Sequence, residues 1–190
     1  VNGALAVDER LATSAPNVYA IGDVTHRRNL TPVAIAEGRA LAESLFGPAP
    51  RSVDLSRVAS AVFTLPPIGT VGPSETAALA AGHRLKVFEA DFRPMRTAFI
   101  GSNERTYMKL LVCADTDRVL GVHMLGTDAP EIVQSLAVAL TAGATKAHFD
   151  ATIAVHPTAA EEFMLLREPT RVVEPAAAVV AAPVGSAAAS

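Results

Sequence analysis

A histidine followed closely by two carboxylates is the pattern in this sequence that is best suited to acid/base chemistry. His156 precedes Pro157, and Glu161 and Glu162 follow within the next turns. A carboxylate against one ring nitrogen of a histidine fixes the tautomer and stabilises the imidazolium, so the other nitrogen can exchange a proton with a substrate. Because proline suits the first helical position, the sequence predicts a helix that begins at Pro157, with Glu161 as the partner of His156. A surface histidine before an ordinary helix fits the same residues equally well.

Length and composition restrict the other kinds of chemistry. The chain has 190 residues and a net charge of -3, which gives no electrostatic reason to expect nucleic acid or a membrane as partner. Its one cysteine, Cys113, excludes an internal disulfide framework and predicts a reducing, cytoplasmic location. Cys113 ends an apolar run, where a buried small hydrophobe is expected. No histidine has a second ligand at metal spacing, so the sequence predicts no metal site.

Residues 1–50 are predicted to form one unit. An apolar run at residues 18–21 ends at Gly22, as a buried strand would. Thr31 is predicted to cap a helix that has Pro32 in its first position. Apolar residues then recur at helical spacing until Gly47, and a proline-rich connector follows.

Residues 51–173 are predicted to form a second unit of mixed α+β type. Strands are expected at residues 61–65, 84–91, 107–113 and 119–125, with the last two joined as a hairpin. One helix is expected to begin at Ser74, and another to begin with a capping box of Asp128 and Glu131 and to close at Gly143. Residues 174–190 are rich in alanine and are predicted to be disordered.

Six motifs, in order along residues 7–173, resemble the class I pyridine nucleotide-disulfide oxidoreductases, and among them the carboxyl-terminal part of the glutathione reductases. The resemblance implies an α/β fold, the carboxyl-terminal end of an FAD-binding domain, followed by an α+β interface domain that pairs two subunits as a homodimer. The motifs are VYAIGD at 18–23, LTPVA at 30–34, GR at 38–39, VFTLPPIGTVG at 62–72, VLGVHMLG at 119–126 and AGATKAHFDATIAVHPTAAEEFM at 142–164.

The same resemblance implies a redox reaction. In such enzymes FAD passes electrons from NADPH to a cysteine pair, and the resulting thiolate attacks glutathione disulfide. His156 would then protonate the leaving glutathione thiolate in the partner subunit's site, and Glu161 would orient the imidazole. A monomer would therefore be inactive.

Cofactor and substrate contacts are also implied by the resemblance. Asp23 would hydrogen-bond the ribityl chain of the flavin, while the backbone at Leu30 and Thr31 would meet its pyrimidine edge. For the substrate, Arg39 would hold a glutathione carboxylate, Met95 would pack nearby, and Glu162 would contact an ammonium group or support the histidine.

Several features of the family are missing from the sequence. It has no Gly-x-Gly-x-x-Gly loop and no Cys-x-x-x-x-Cys pair, and Leu165 stands where many members have threonine. Since the chain opens with Val1 inside a motif, we expect a piece of a longer protein that reduces nothing by itself. Two alternatives stay open: a sister disulfide reductase of the trypanothione or dihydrolipoamide type, and a non-catalytic dimerisation module.

Overall fold

The structure, a computed structural model, describes residues 3–175. Its main feature is a six-stranded antiparallel sheet, which follows a short 3₁₀ helix and a long α-helix. In chain order the elements are the 3₁₀ helix Gly22–Thr25, α1 Thr31–Phe46, β1 Ser60–Val62, β2 Ile68–Val71, α2 Glu75–Ala80, β3 Leu85–Phe92, α3 Met95–Phe99, β4 Thr106–Cys113, β5 Val119–Leu125, α4 Ala129–Thr141, α5 Lys146–Ala151, α6 Glu162–Leu165 and β6 Arg171–Val173.

The strands lie in the order β1-β2-β5-β4-β3-β6, and every neighbouring pair is antiparallel. β4 and β5 form the predicted hairpin, with Tyr107 opposite Leu125. The predicted bounds of β5 are correct, and those of β3 and β4 differ by at most one residue at each end. β1 is shorter than the strand predicted at residues 61–65. The mixed α/β architecture expected from the sequence is thus confirmed.

One face of the sheet packs against α4, α5 and α6 and contains the main core. Alternate strand residues point into it, because successive side chains of a strand face opposite sides. Phe163 of α6 is fully buried there and fixes the segment that carries the two glutamates. The other large buried members are Phe88, Met108, Leu110, Val122, Met124, Val133, Leu140 and Phe149.

The opposite face carries α2 and a network of charged side chains. Glu75 of α2 accepts from Arg171 of β6 at 2.6 Å and from Lys109 of β4 at 3.1 Å. Glu89 of β3 also pairs with Arg171 and accepts from the Tyr107 hydroxyl. The Arg171 guanidinium lowers the pKa of Glu75; burial opposes ionisation of Glu89, but hydrogen bonds from Tyr107 and Arg171 still lower the pKa of Glu89. The network ties the edge strand β6 to its neighbours.

Before the sheet, two local predictions were wrong. Residues 18–21 form no strand; Tyr19 makes an isolated bridge with Ala12, since the segment finds no longer pairing partner within residues 3–175. Helix α1 does begin with Pro32 in its first turn, but its N-cap is Leu30, with extended backbone, and no side chain caps it. Thr31 is therefore the first helical residue. The helix ends at Phe46 with Gly47 as its C-cap, as predicted.

Helix α4 lacks the predicted capping box. Asp128 is its N-cap, but the backbone there is not extended, and its side chain makes no cap hydrogen bond. Glu131 consequently has no reciprocal role. The end of the helix agrees with prediction, because the Gly143 N–H donates to the Leu140 carbonyl at 3.0 Å and Ala144 donates to Ala139 at 2.9 Å.

Two further observations concern the extent of the fold. Within residues 3–175, no helix combines the length and apolar character needed to cross a membrane. The tail predicted to be disordered, residues 174–190, lies outside the described residues from Ala176 onward.

Candidate functional site

The predicted histidine and glutamate are in contact. Nδ1 of His156 lies 3.0 Å from Oε2 and 3.1 Å from Oε1 of Glu161. Because an ionised carboxylate can only accept, Nδ1 carries the proton in this contact. Nε2 makes no hydrogen bond within the described residues. The ring is 69% exposed whereas Glu161 is 13% exposed, so the carboxylate is held by the protein and the imidazole faces outward.

A reciprocal hydrogen-bond pair holds Glu161 in this position. The Glu161 N–H donates to Thr158 Oγ1 at 3.2 Å, and the Thr158 N–H donates to Glu161 Oε1 at 3.3 Å. The Thr158 hydroxyl also donates to the Val155 carbonyl at 2.8 Å. This is the pattern of a capping box, and the spacing Thr-x-x-Glu in the sequence could have predicted it. Thr158 is thus a site residue that the sequence reasoning missed.

The helix predicted to begin at Pro157 does not exist. The His156–Pro157 peptide is cis, residues 157–161 form turns, and the helix starts at Glu162. Thr158 offers a side-chain acceptor for the first free N–H groups, which Pro157 cannot, and this moves the helix start further along the chain. As a result, His156 and Glu161 lie on opposite sides of one turn, and their side chains are in contact.

Glu162 lies beside this pair but is not hydrogen-bonded to it. It is the first residue of α6 and is half-buried. Burial and the neighbouring charge of Glu161 raise the pKa of the Glu162 carboxyl. We refer to residues 152–162 as the His156 corner. Apolar side chains stand exposed around it: Ile153 is 94%, Val155 72% and Leu165 52% exposed.

A second group of predicted residues lies at the start of α1. Asp23 belongs to the 3₁₀ helix, is exposed, and its carboxylate accepts no hydrogen bond within residues 3–175. Thr31 opens the 16-residue helix α1, and its N–H likewise has no partner in that range. The carbonyl of Leu30 accepts from Val33 and Ala34 at 3.0 and 3.1 Å, so the Leu30 backbone is part of the helix start. We refer to residues 22–31 together with Glu37 as the Gly22 corner.

The Gly22 corner contains a buried ion pair that the sequence reasoning missed. Glu37 is 1% exposed; its Oε2 accepts from the Gly22 N–H at 2.8 Å and its Oε1 pairs with Arg27 Nη2 at 2.9 Å. Gly22 itself has φ of +69°, and a Cβ there would lie 3.0 Å from Ala34 Cβ. A signal was available, because Glu37 falls on the buried stripe of α1 with Val33 and Ala40.

Two of the three predicted substrate residues, Arg39 and Met95, lie apart from these contacts. Arg39 is exposed on α1, two residues after Glu37, and Met95 begins α3 with 60% of its surface exposed. Within the part of the chain that the structure describes, no hydrogen bond or ion pair joins either residue to the His156 corner. That part also contains no cluster of three or more side chains able to hold a metal ion.

An open groove runs between the start of α1 and helix α4. Its volume is about 680 Å³, and its walls are mostly apolar. Leu30 and Pro32 line one side, Ala137 and Val138 the other, and Phe63 lies at the end of β1. The groove therefore connects the backbone of the Gly22 corner with the sheet.

Comparison with known protein families and solved structures finds matches to both parts of the chain. The dimerisation domain of the pyridine nucleotide-disulphide oxidoreductases matches residues 58–167, and a second profile of pyridine nucleotide-disulphide oxidoreductases matches residues 1–38. A HOCl-induced flavoprotein disulfide reductase from Escherichia coli has a similar structure, with a TM-score of 0.74 at 30% identity, over 86% of this chain and 38% of that one.

Curated relatives agree with these matches. The chain is 52% identical to the chloroplastic/mitochondrial glutathione reductase of Pisum sativum over 170 residues, 90% of this chain and 31% of the relative. It is 50% identical to the glutathione reductase of Burkholderia cepacia over 87% of this chain and 37% of the relative, and 46% identical to the trypanothione reductase of Leishmania donovani over 88% and 35%. The chain thus spans about a third of the length of these relatives. It belongs to the class I pyridine nucleotide-disulfide oxidoreductases, resembles the glutathione reductases among them, and carries the family's dimerisation domain.

Proposed function

We propose that this chain is part of an NADPH-dependent flavoprotein that reduces glutathione disulfide, and that it supplies the acid/base pair of that reaction. The contact of His156 Nδ1 with Glu161 carries the proposal. It leaves Nε2 facing outward with the ring orientation fixed, which is the arrangement that a general acid requires. The similarity to the glutathione reductases of Pisum sativum and Burkholderia cepacia, at about 50% identity, supports glutathione disulfide as the substrate.

The proton transfer at His156 balances with three partners: the His156–Glu161 pair, glutathione disulfide and one thiolate of the partner subunit. A thiolate of the partner subunit would attack one sulfur of glutathione disulfide, form a mixed disulfide and release a glutathione thiolate. The His156 imidazolium would give its Nε2 proton to that thiolate, which leaves a neutral imidazole and a thiol. Glu161 would hold the ring through Nδ1 and stabilise the charged form before the transfer.

The Gly22 corner fits FAD by the chemistry of its free groups. Asp23 offers an exposed carboxylate that could accept from ribityl hydroxyls, and Thr31 offers a backbone N–H at the positive end of a 16-residue helix. When bound, FAD would carry electrons from NADPH to the cysteine pair. The sole cysteine here, Cys113, is buried on β4 and cannot serve as that pair.

We assign substrate contacts to three further side chains. Arg39 would hold a glutathione carboxylate, for which a planar guanidinium is suited. Met95 would pack against the substrate, and Glu162 would meet its ammonium group. All three have exposed or half-exposed side chains in this chain, which supports the assignment.

We propose three segments for the chain: residues 1–50 as the end of the FAD-binding domain, residues 51–173 as the interface domain, and residues 174–190 as a tail. Helix α1 ends at Phe46, and residues 47–59 contain no helix or strand. Both observations support the first boundary. The match to a dimerisation domain at residues 58–167 supports a homodimer in which His156 serves the partner subunit. A cytoplasmic location stays our prediction from the single cysteine.

The experiment that tests the function is an NADPH-oxidation assay on the complete protein that contains this sequence. Oxidised glutathione, trypanothione disulfide and lipoamide would be offered side by side, with the 190-residue chain alone as control. We expect turnover of glutathione disulfide by the complete protein and none by the chain alone. Activity of the chain alone would contradict the role given to a cysteine pair outside it.

Trypanothione disulfide is the second candidate substrate. The trypanothione reductases of Leishmania donovani and Trypanosoma congolense are 46% and 43% identical to the chain, close to the values for the glutathione reductases. Preferential turnover of trypanothione disulfide in the same assay would assign the protein to that branch. Turnover of none of the three disulfides would favour the non-catalytic dimerisation module.

A further inference from the structure

The buried carboxylate of Glu37 holds two points of the chain that flank Asp23. One oxygen accepts from the Gly22 N–H at 2.8 Å and the other pairs with Arg27 Nη2 at 2.9 Å. A buried charge is costly unless it is paired and hydrogen-bonded, and both oxygens meet this condition. The segment from Gly22 to Arg27 is therefore clamped to helix α1 at both ends.

Contacts inside the clamped segment fix the backbone around Asp23 and leave its side chain free to face a ligand. The Thr25 hydroxyl donates to the Gly22 carbonyl at 2.8 Å, and the His26 N–H donates to the Asp23 carbonyl at 3.0 Å. The Asp23 backbone is thus fixed while its carboxylate stays exposed. Because the same helix α1 carries Thr31 at its start, the clamp also sets the position of Asp23 relative to the Thr31 N–H.

The clamp is not the arrangement that packing alone would favour. Arg27 Nε is buried and has no hydrogen-bond partner within residues 3–175, so a donor is left unsatisfied. Apolar residues in place of both Glu37 and Arg27 would remove this cost, and such replacements of whole buried ion pairs are often neutral or stabilising. The ion pair therefore contributes a defined geometry more than it contributes stability.

We propose that Glu37, with Arg27, is a positioning residue for the flavin: it fixes the turn that presents Asp23 and its distance from the start of α1. This inference rests on the proposed function, since it concerns the affinity for FAD. Glu37 would act through Gly22 and Arg27 and would not itself touch the cofactor.

The test is the dissociation constant of FAD, measured by titrating the apo form of the complete protein with FAD. We expect Glu37→Ala to raise it about tenfold, and Glu37→Gln roughly threefold, because glutamine keeps an acceptor for the Gly22 N–H but loses the charge that holds Arg27. Glu43→Ala is the matched control. Glu43 lies on the same helix and pairs with Arg51 at the same distance, 2.9 Å, but that pair is exposed and outside the Gly22 corner.

The possible results separate this inference from the proposed function. Unchanged FAD affinity of the folded Glu37 variants, with a lower unfolding temperature, would show a purely structural role and overturn the inference while the function stands. If Glu37→Ala fails to fold, Glu37→Gln decides alone, and affinity equal to that of the unsubstituted protein contradicts the inference. If the unsubstituted protein binds no FAD, the proposed function fails and the inference fails with it.

Discussion

Glu37 and Glu161 both hold a basic side chain through their carboxylates, but in opposite surroundings. Glu37 is 1% exposed and Arg27 29%, so the ion pair of the Gly22 corner is largely enclosed by residues of this chain. In the His156 corner, Glu161 is 13% exposed while the imidazole is 69% exposed and stands among exposed apolar side chains. A closed pair fixes the backbone around it. An open pair fixes one ring and leaves it exposed, as our proposal of a site completed by a second subunit requires.

This comparison predicts that a change in the His156 corner has the largest effect on catalysis. In the complete protein, His156→Gln should lower disulfide turnover by roughly 10² or more, because glutamine cannot supply the proton to the leaving thiolate. The unfolding temperature should stay the same, since the ring is exposed. Steady-state turnover and rapid-mixing measurement of flavin reduction by NADPH would separate the two half-reactions. His83→Gln is the control, and equal loss of both half-reactions would contradict the assigned role.

A change in the Gly22 corner should instead affect the stability of the fold. Gly22→Ala should lower the free energy of unfolding by about 2 kcal/mol, because alanine is disfavoured at φ of +69° and its Cβ would press on Ala34 Cβ. Gly82→Ala separates the two causes: Gly82 has φ of +84° but open space around it, so we expect only about 1 kcal/mol there. Urea unfolding measures both. Equal costs would show that the contact with Ala34 contributes nothing.

Glu161→Gln should produce the next effect. The amide still accepts from His156 Nδ1, but it no longer stabilises the imidazolium, so disulfide turnover should fall by about tenfold, or about 1.4 kcal/mol. Reduction of the flavin by NADPH should be unchanged. Glu168→Gln, an exposed change shortly after α6, is the control. A fall as large as that of His156→Gln would mean that orientation and charge matter as much as the acid itself.

Arg39→Met tests the exposed side of helix α1. If Arg39 holds a glutathione carboxylate, the KM for glutathione disulfide should rise by about fivefold with little change in kcat, since binding is lost equally from ground and transition states. Arg10→Met, an exposed arginine distant in sequence, should leave KM unchanged. An unchanged KM in Arg39→Met would make Arg39 a solvated surface charge.

The smallest effect concerns Glu162, whose pKa is raised by burial and by Glu161. A carboxyl group with a raised pKa stabilises the fold below its unfolded pKa and loses that contribution as pH rises through the folded pKa. At pH 7, Glu162→Gln should therefore raise the free energy of unfolding, measured by urea denaturation. The gain should be less than about 1 kcal/mol because the group is partly solvated. The difference should vanish below about pH 4. A variant less stable at pH 7 would contradict this sign.

Sequence patterns predicted the sheet better than the turns. β5 and the hairpin follow from alternating apolar residues and a short connection, which depend only on neighbours along the chain. The strand expected at residues 18–21 was wrong because a strand needs a partner, and no sequence pattern supplies one. The capping box at Asp128 was wrong because the same residue types occur with a non-extended backbone.

The candidate site shows the same division. The pairing of His156 with Glu161 was predicted from their spacing, yet the reason given, a helix from Pro157, was wrong, and Thr158 holds the glutamate instead. Glu37 was missed because its partners, Gly22 and Arg27, lie 15 and 10 residues away. Long-range pairing of this kind is visible in sequence only as a charge on a buried stripe.

The edge strand β6 has a consequence for how the protein is made on the ribosome. Leu85 of β3 pairs with Val173, and Arg171 joins β6 to Glu75 and Glu89. Strands β1 to β5 are therefore translated well before the strand that covers the free edge of β3. At about 5–20 residues per second, the β3 edge stays open for several seconds of synthesis. During that interval the β3 edge is exposed to pairing with another nascent chain, and the acidic Glu75 and Glu89, which share the one ammonium group of Lys109 until Arg171 is in place, oppose such pairing.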